Sequence, residues 1–322
     1  MKIGHVDIPG HFGLAPMAGV TDRAFRRICA EHGASYCVSE MVSAKALTYH
    51  DKKTAQLLDI SDTLCPCAVQ IFGSDPETVA EGLRIARELS GAPIIDINMG
   101  CPMPKITGNG EGSALLRDPA RAEAVCRAAV RAADVPVTVK FRTGWDSDSV
   151  NCVEIAHRLE DAGASALCIH GRTRAQGYSG LANRDLMAQV VAAVSIPVMV
   201  NGDINTPDDG ISLLRETGAE FAMIGRGALG SPWLFAGCEA AARGEDIPEP
   251  PELPDRLAVL LRQAELTSEE KSEYVALREM RKHAAWYLKG FRGAAACRNS
   301  CMKLTSLAGL RRWIEDTISQ LS

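Results

Sequence analysis

Residues 197–226 read PVMVNGDINTPDDGISLLRETGAEFAMIGR, and this stretch decides the fold. A short apolar run, PVMVNG, leads through a polar turn into a helical pattern, TPDDGISLLRETGA, whose final Gly-Ala step is typical of a helix C-terminus. A second apolar run, FAMIGR, follows directly. Strand, helix and strand in this order predict a βαβ unit of a parallel sheet.

The same alternation extends outward along the chain. Eight apolar runs, spaced about 23 to 43 residues apart, are each followed by a polar or glycine-rich turn, and helical patterns fill the gaps between them. The runs are GLAPM (13–17), YCVSE (36–40), CAVQIF (67–72), PIIDIN (93–98), PVTVKF (136–141), ALCIHG (166–171), PVMVNG (197–202) and FAMIGR (221–226). We therefore predict an α/β protein with a (β/α)8 TIM barrel, which such units close. An open doubly wound sheet is the alternative, and the near-uniform spacing favours closure.

The repeating pattern ends after Trp233. Residues 244–255, GEDIPEPPELPD, hold four prolines and five acidic residues, a composition typical of a linker. The segments beyond it are helical in pattern and carry no strand signal. We predict a barrel domain at 1–243, a linker at 244–255 and a small all-helical domain at 256–322.

Composition narrows the class of protein. The 322 residues are 46% hydrophobic and 23% charged, which excludes a disordered chain. The cysteine count of 11 is odd and most lie in apolar runs, so reduced thiols are expected rather than disulfides. Neither a secretory leader nor an apolar run of about 18 residues is present, so we predict a cytoplasmic protein without a membrane span. No cysteine pair has a partner at zinc spacing, so no metal is expected.

Charge is distributed unevenly. The net charge is −5, yet residues 274–322 hold nine Lys and Arg against three Asp and Glu. A basic segment attached to an acidic body favours a polyanionic partner on one side of the molecule. A solvated helical face is the alternative explanation.

Polar residues end most of the predicted strands. In a (β/α)8 barrel the carboxyl ends of the strands form the active face, so these residues are the candidates for chemistry. They are Pro16-Met17, Glu40, Gln70, Asn98, Lys140, His170, Asn201-Gly202-Asp203 and Gly225-Arg226.

The last predicted unit contains IGRGALG, with Gly225, Gly227 and Gly230 in the spacing of a dinucleotide fingerprint. That motif requires a following strand that ends in an acidic residue, and none is predicted here. A phosphate site formed by the backbone N–H groups of the last two strand ends is the better interpretation. It indicates a mononucleotide cofactor or a phosphorylated substrate.

Two further features indicate the chemistry. Lys140 and His170 end neighbouring predicted strands, where they suit a flavin's polar edge or, for Lys140, a Schiff base. Cys101 lies three residues beyond Asn98 in a rigid turn, DINMGCPMPK, and is a candidate reactive thiol. A small buried hydrophobe is the alternative role for Cys101.

With these residues in place, the chain resembles the tRNA-dihydrouridine synthases, and most closely their bacterial B-type branch. The matching stretches cover nearly the whole barrel in order and the helical C-terminal segment also fits. They are APMAGVTDRAFR, SEM, VQIFGSDP, DINMGCPMPK, GEGSALL, VKFRTGW, HGRTR, NGDI and IGRGALG.

The resemblance implies an enzyme that reduces the C5=C6 bond of uridine in tRNA, expected in the D-loop. FMN would deliver hydride to C6, Cys101 would protonate C5, and NADPH, or alternatively NADH, would reduce the flavin again. The residues implied in FMN binding are Pro16, Met17, Ala18, Gln70, Lys140, His170, Asn201, Gly202, Asp203, Gly225 and Arg226. Those expected to hold the nucleotide are Asn98, Lys105, Arg142, Arg172 and Arg174.

The tRNA is the expected partner, and one active site per chain requires no second copy. The basic helical segment would contact phosphates through Arg278, Arg281, Lys282, Lys289, Arg292, Arg298 and Lys303. A small-molecule FMN reductase and a non-catalytic RNA-binding flavoprotein are the competing interpretations. The first leaves the basic segment unused, and the second leaves Cys101, Lys140 and His170 unused.

Overall fold

A computed structural model of the chain describes residues 1–61 and 63–321. Its strands within these ranges are β1 (Lys2–Ile3), β2 (Val6–Asp7), β3 (Phe12–Leu14), β4 (Cys37–Val38), β5 (Val42–Ser43), β6 (Cys67–Phe72), β7 (Ile94–Met99), β8 (Val137–Arg142), β9 (Ala166–His170), β10 (Val198–Asn201) and β11 (Phe221–Ile224). Each of the eight predicted runs overlaps one strand, in order β3, β4, β6, β7, β8, β9, β10 and β11, and the short β5 lies outside the predicted runs.

Its helices within the same ranges are α1 (Arg23–Glu31), α2 (Ala44–Thr48), α3 (Lys52–Gln56), α4 (Pro76–Ser90), α5 (Pro104–Thr107), α6 (Pro119–Ala132), α7 (Cys152–Asp161), α8 (Arg184–Ala193), α9 (Pro207–Thr217), α10 (Leu234–Arg243), α11 (Leu253–Glu270), α12 (Glu273–Tyr287), α13 (Ala294–Cys301) and α14 (Leu307–Leu321). Short 3-10 helices lie at Gly112–Arg117 and Arg226–Ala228.

The strands close into a parallel barrel. Neighbours follow the order β3, β4, β6, β7, β8, β9, β10 and β11, and β11 pairs with β3 to complete the circle. The short β5 continues the line of β4, the second strand of the barrel, and pairs with the end of β6. The predicted (β/α)8 barrel is therefore confirmed, and the closing β11–β3 pair rules out the open sheet.

Local sequence explains where the barrel helices begin and end. The side chains of Asp75 and Asp118 accept hydrogen bonds from the first turns of α4 and α6, each followed by a proline in the first helical turn. Gly91 and Gly218 end α4 and α9 in the left-handed conformation, which a residue without Cβ adopts without strain.

One end of the barrel is closed by the start of the chain. The antiparallel pair β1–β2 brings Ile3 and Ile8 into a buried cluster with Tyr36 and Ile94 at the beginnings of the strands, and with Phe221. A larger apolar cluster fills the space between the strands and the surrounding helices. The carboxyl ends of the strands are thus the open end, where the predicted site residues lie.

The helices from α11 to α14 share a second apolar core of their own. They contact the barrel where Leu266 of α11 packs on Ala24 and Ile28 of α1. The helix α11 begins at Leu253, two residues before the predicted end of the linker at residue 255. The boundary between linker and helical domain at 255–256 stays a prediction. No helix within the described ranges is long and apolar enough to cross a membrane.

Candidate active site

A cavity of about 490 Å³ opens at the carboxyl ends of the strands. It falls in the size range of cofactor and small-molecule sites. The structure brings the following predicted residues to its wall: Pro16, Met17, Ala18, Gln70, Asn98, Cys101, Lys140, Arg142, His170, Arg172, Asn201, Gly202, Asp203, Gly225 and Arg226. Of the residues predicted for the active face, Glu40, Lys105 and Arg174 do not line it.

The β-sheet register explains this convergence. Across the ladder from β7 to β10, Asn98 lies opposite Lys140, Arg142 opposite His170, and His170 opposite Asn201. Residues at the same level of neighbouring parallel strands point to the same side of the sheet, so those that face inward meet at the barrel mouth. Side chains 28 to 42 residues apart in sequence therefore meet in space.

A buried hydrogen-bond chain forms the floor of the cavity. The Asp96 carboxylate accepts from Gln70 Nε2 at 2.7 Å and from the Thr138 hydroxyl. Gln70 Oε1 in turn accepts from Asn98 Nδ2 at 2.9 Å. Because a carboxylate only accepts hydrogen bonds, the Gln70 amide must turn its NH2 group to Asp96 and its oxygen to the NH2 group of Asn98.

This chain ends at the thiol loop. Asn98 Oδ1 accepts from the backbone N–H groups of Gly100, at 3.1 Å, and Cys101, at 2.9 Å. The carbonyl of Cys101 accepts from the Ser113 hydroxyl at 2.8 Å. A Cβ on Gly112 would lie 2.9 Å from the same carbonyl, and Gly112 has a φ of 59°, so this position requires glycine. The loop therefore holds Cys101 in one place at the mouth.

The Cys101 thiol is protonated at neutral pH. Burial raises its pKa above the ordinary value, while the Met103 N–H and the Arg142 guanidinium act in the opposite direction. Arg142 also ties two loops together, since its Nε donates to the Gly100 carbonyl at 2.7 Å and its Nη1 to the Thr173 carbonyl at 3.0 Å.

Four cationic side chains surround His170. Burial lowers the pKa of His170 well below its ordinary value, and Lys140, Arg142, Arg172 and Arg226 lower it further. His170 is therefore neutral. Burial also lowers the pKa of Lys140, which the positive charge of Arg142 reinforces.

Among the described residues, one acidic side chain lines the cavity, and it is already paired. The Asp203 carboxylate accepts from Arg172 Nη2 at 2.7 Å and from the Ala182 N–H at 2.7 Å, and Arg226 lies 3.6 Å away. Burial acts to raise the pKa of Asp203, but these partners hold it below the ordinary value. The mouth keeps a net positive charge, which suits an anionic ligand.

The loops after β10 and β11 are in backbone contact. A Cβ on Gly227 would lie 2.0 Å from the Ile204 carbonyl oxygen, so only glycine allows this approach. Asn201 joins the same region, because its Oδ1 accepts from Lys140 Nζ at 3.0 Å and its Nδ2 donates to the Met223 carbonyl at 2.8 Å. The predicted phosphate loops thus form one recess beside Lys140.

Sequence reasoning missed Tyr178. Its ring lies 4.7 Å from the guanidinium carbon of Arg226 and 5.9 Å from that of Arg142, and the side chain is 55% exposed at the rim of the cavity. Tyr178 stands eight residues beyond the end of β9, within a loop that positive-φ glycines turn back over the mouth. Two glycines flanking an aromatic residue in HGRTRAQGYSG were the available signal.

Three predicted residues lie outside the cavity. Glu40 is buried and accepts a hydrogen bond from the Gly19 N–H. Lys105 is exposed on the short helix α5. Arg174 stacks on the ring of Trp145, with its guanidinium carbon 4.4 Å from the ring centroid, and Arg117 stacks on the same ring at 5.1 Å.

The basic helical residues divide into two groups. Arg278, Lys289, Arg292 and Lys303 are exposed. Arg281, Lys282 and Arg298 are partly buried. Arg281 donates to the Leu304 carbonyl at 3.0 Å, and Lys282 donates to the carbonyl of Gly19, next to the cavity residue Ala18. The first group keeps its charge free for solvent or a partner, whereas Lys282 ties α12 to the mouth of the barrel.

No group of three or more His, Cys, Asp or Glu side chains in residues 1–61 and 63–321 could hold a metal ion. The fold and the site together define a (β/α)8-barrel enzyme with an anion-binding mouth and a protonated thiol beside it. A family model described as "Dihydrouridine synthase (Dus)" matches residues 13–321. The chain belongs to the dihydrouridine synthase family and is an oxidoreductase.

Individual relatives agree with this assignment. The chain is 44% identical over 302 residues to "tRNA-dihydrouridine synthase B" of Vibrio parahaemolyticus, which covers 93% of each chain. It is 44% identical over 295 residues to the protein of the same name from Pseudomonas aeruginosa, covering 91% of this chain and 88% of the relative. "Probable tRNA-dihydrouridine synthase 1" of Synechocystis sp. is 40% identical over 320 residues, covering 99% of this chain and 89% of the relative.

Solved structures support the barrel. A 2-naphthoyl-CoA reductase complex superposes with a TM-score of 0.58 at 12% identity, covering 77% of this chain and 52% of that chain. The amine oxidase HisD from Pseudomonas geniculata N1 gives a TM-score of 0.56 at 14% identity, covering 76% of this chain and 49% of that chain. The chain spans about half the length of these two proteins, and at this identity they show the fold alone.

Proposed function

We propose that the protein is an FMN-dependent tRNA-dihydrouridine synthase, which reduces the C5=C6 bond of a uridine in tRNA with NADPH as reductant. The observation that carries this proposal is the protonated Cys101 thiol at the wall of a positively charged barrel mouth, in a chain of the dihydrouridine synthase family. The names of the relatives supply tRNA as the substrate class.

The residues at the mouth fit FMN. A phosphate suits the recess beside Arg226, because the backbones of the loops after β10 and β11 come into close contact there. The carboxylate described at this recess, that of Asp203, is already paired with Arg172. The polar edge of a flavin suits Gln70, Lys140 and His170, which present amide, ammonium and neutral imidazole groups to one cavity. The loop from Pro16 to Ala18 forms the adjoining wall.

The chemistry that FMN supplies when bound is the delivery of hydride to uridine C6. The chain's own residues then handle the negative charge and the proton. Cys101 donates its proton to C5, for which a thiol kept protonated by burial is suited. Asn98 and Ser113 hold the backbone around Cys101, so the thiol approaches from a fixed direction.

Neutral and cationic groups have separate roles. Lys140 is held by Asn201 Oδ1 and stabilises negative charge on the ligand that occupies the mouth. His170 is neutral, so it offers a hydrogen bond without adding a further charge among four cations. Arg142 keeps the thiol loop and the loop after β9 together through its backbone contacts.

A uridine must leave the base stack of the RNA to enter this mouth. We propose that the exposed basic residues Arg278, Lys289, Arg292 and Lys303 bind tRNA phosphates while the base reacts. Lys282, through Gly19, would connect that grip to the wall of the cavity. We further propose that the reaction takes place in the cytoplasm and that one chain is sufficient for the site.

The test is to incubate unmodified tRNA with the purified holoenzyme and NADPH, then locate dihydrouridine by nuclease digestion and mass spectrometry. Product at one or a few defined positions, expected in the D-loop, is the predicted result. Flavin that is reduced by NADPH but not reoxidised by several tRNAs would instead favour a small-molecule reductase. A matched reaction with NADH establishes which nicotinamide serves as reductant.

A further inference from the structure

We propose that Arg117, Trp145 and Arg174 form a second phosphate-binding site, outside the cavity, and we call it the arginine–tryptophan site. Its ligand is a phosphate group of one of the two polyphosphate reactants in the proposed function, on which this inference rests. The guanidinium carbons of Arg174 and Arg117 lie 4.4 Å and 5.1 Å from the centroid of the same indole ring. Stacking of this kind holds a guanidinium in place while its N–H groups remain available at the edges.

The three side chains come from three consecutive loops of the active face. Arg117 ends the 3-10 helix that follows β7, Trp145 follows β8, and Arg174 follows β9. The last two loops are joined by backbone hydrogen bonds, from the Arg174 N–H to the Gly144 carbonyl at 2.9 Å and from the Ala175 N–H to the Trp145 carbonyl at 2.8 Å. The site is therefore held by the barrel and not by one mobile loop.

The arginine–tryptophan site is connected to the loop that carries the thiol. Ser113, in the same 3-10 helix as Arg117, donates its hydroxyl hydrogen to the Cys101 carbonyl at 2.8 Å. Arg142 and Arg172, close in sequence to Trp145 and Arg174, line the cavity itself. A ligand that extends out of the mouth on this side therefore passes the arginine–tryptophan site.

The two guanidiniums have no acidic partner within residues 1–61 and 63–321. The acids next to them in sequence are engaged elsewhere, since Asp118 accepts from the Arg121 N–H at 3.0 Å and Asp146 from the Ser149 hydroxyl at 2.6 Å. The Nε of Arg174 is buried without a hydrogen-bond partner among the described residues. Two cations on one ring repel each other, and a bound anion would reduce that repulsion.

Phosphate is the anion that this geometry favours. A planar guanidinium donates two parallel hydrogen bonds to the oxygens of a phosphate, and two such groups on nearby loops can hold one phosphate or two successive ones. In the proposed function the phosphates come either from the tRNA backbone next to the reacting uridine or from the nicotinamide dinucleotide. A uridine that has entered the mouth leaves its flanking phosphates at this rim, on the side of Cys101.

The test compares two double variants with equal loss of charge. In R117Q/R174Q both guanidiniums of the arginine–tryptophan site are removed. In the control, R131Q/R215Q, the arginines lie exposed in the last turns of α6 and α9, at the opposite face of the barrel. The flavin content of both purified proteins verifies that the barrel is intact. R117K/R174K retains the charge and serves as the conservative variant.

Two measurements distinguish the sources of the phosphate. The first is the Kd for unmodified tRNA over a range of salt concentrations. If the tRNA backbone is the source, R117Q/R174Q raises Kd roughly tenfold and lowers the slope of log Kd against log salt by about two, with partial recovery in R117K/R174K. The second is the NADPH concentration dependence of flavin reduction without tRNA. If the dinucleotide is the source, half-saturation shifts to higher NADPH while the tRNA Kd is unchanged.

If both quantities match those of R131Q/R215Q, the arginine–tryptophan site does not bind phosphate and the inference is wrong. Because tRNA binding is measured without turnover, the outcome is separate from that of the proposed function. A wild-type enzyme that binds tRNA through this site yet forms no dihydrouridine would contradict the function and leave the site standing.

Discussion

The side-chain oxygen of Asn98 accepts a hydrogen bond from the backbone N–H of Cys101 at 2.9 Å. A residue expected to contact the nucleotide therefore also sets the position of the thiol. Through Gln70 the same amide is connected to the buried Asp96 carboxylate, so the position of Cys101 depends on a chain of groups that begins in the middle of β7. The polar floor and the reactive loop form one unit.

Replacing Asn98 with alanine should reduce kcat about ten- to a hundredfold while flavin content and the tRNA Kd stay near wild type. The reason is that Gly100 and Cys101 lose their shared acceptor, and a shift of about 1 Å in a reacting group is enough for such a loss. Single-turnover oxidation of the reduced enzyme by saturating tRNA measures this. Asn109→Ala is the matched control, because Asn109 is exposed in the same loop and its side chain, among the described residues, bonds only to the Lys105 carbonyl, at 3.3 Å. Equal rates for the two variants would contradict the positioning role.

Replacing Cys101 with alanine should leave FMN bound and lower the rate of dihydrouridine formation by about a hundredfold or more. Loss of a positioned general acid commonly has an effect of this size. Cys101 lies at the wall of the cavity and only part of it is buried, so the barrel should fold without the sulfur. Flavin absorbance gives the cofactor content, and mass spectrometry of digested tRNA gives the product. A rate near that of wild type would remove Cys101 from the mechanism.

The rate of tRNA reduction should stay constant through neutral pH and fall only at alkaline pH, above the ordinary thiol range. Burial raises the pKa of Cys101, so the proton-donating form persists to higher pH than it would in an exposed thiol. The neighbouring Arg142 opposes this shift and limits its size. Stopped-flow oxidation of the reduced flavin, measured from pH 6 to pH 10, gives the pH at which the rate begins to fall. A loss of rate that begins below neutrality would assign the proton to another group.

Acid should destabilise the fold through His283. Burial lowers the pKa of His283 to about 3, and the nearby Lys282 adds to the effect. The ordinary histidine value is about 6.5, so between these values the unfolded chain binds a proton that the folded chain does not. The free energy of unfolding therefore falls as pH decreases, by about 2 kcal/mol at pH 5 from this residue alone.

Urea unfolding of wild type and His283→Gln at pH 7 and pH 5 isolates that contribution. His170 also has a lowered pKa and acts in the same direction in both proteins, so it cancels in the comparison. The variant should lose less stability than wild type between the two pH values. An identical loss in the two proteins would show that His283 does not titrate in this range.

The barrel and most of its site could be predicted from the sequence because both depend on local patterns. Strand periodicity places β6 at 67–72 as predicted, and the register of parallel strands then brings Arg142 and His170 to the same level. An acidic residue inside an apolar strand, Asp96 in PIIDIN, was a visible signal of a buried polar network. Sequence analysis did not use it.

Side-chain contacts between loops could not be predicted in the same way. Arg174 was assigned to the site by its position after β9, but its side chain stacks on Trp145 and does not enter the cavity. The contact of Arg117 with Trp145 has no signal in the sequence, because the two residues lie 28 positions apart on different loops. A strand end fixes where the backbone of a loop begins, whereas the direction of each side chain depends on packing between loops.

Gly230, in the last barrel loop, lies against the backbone of Trp286 in α12. A Cβ on Gly230 would lie 2.3 Å from the carbonyl carbon of Trp286, so the last barrel loop and α12 meet backbone against backbone. This close approach limits movement of α12 relative to the barrel. In the proposed function, the distance between the exposed basic residues and the thiol would then take part in choosing the uridine. The enzyme would select a uridine by its distance from the bound phosphates of the tRNA and not by the identity of the neighbouring bases.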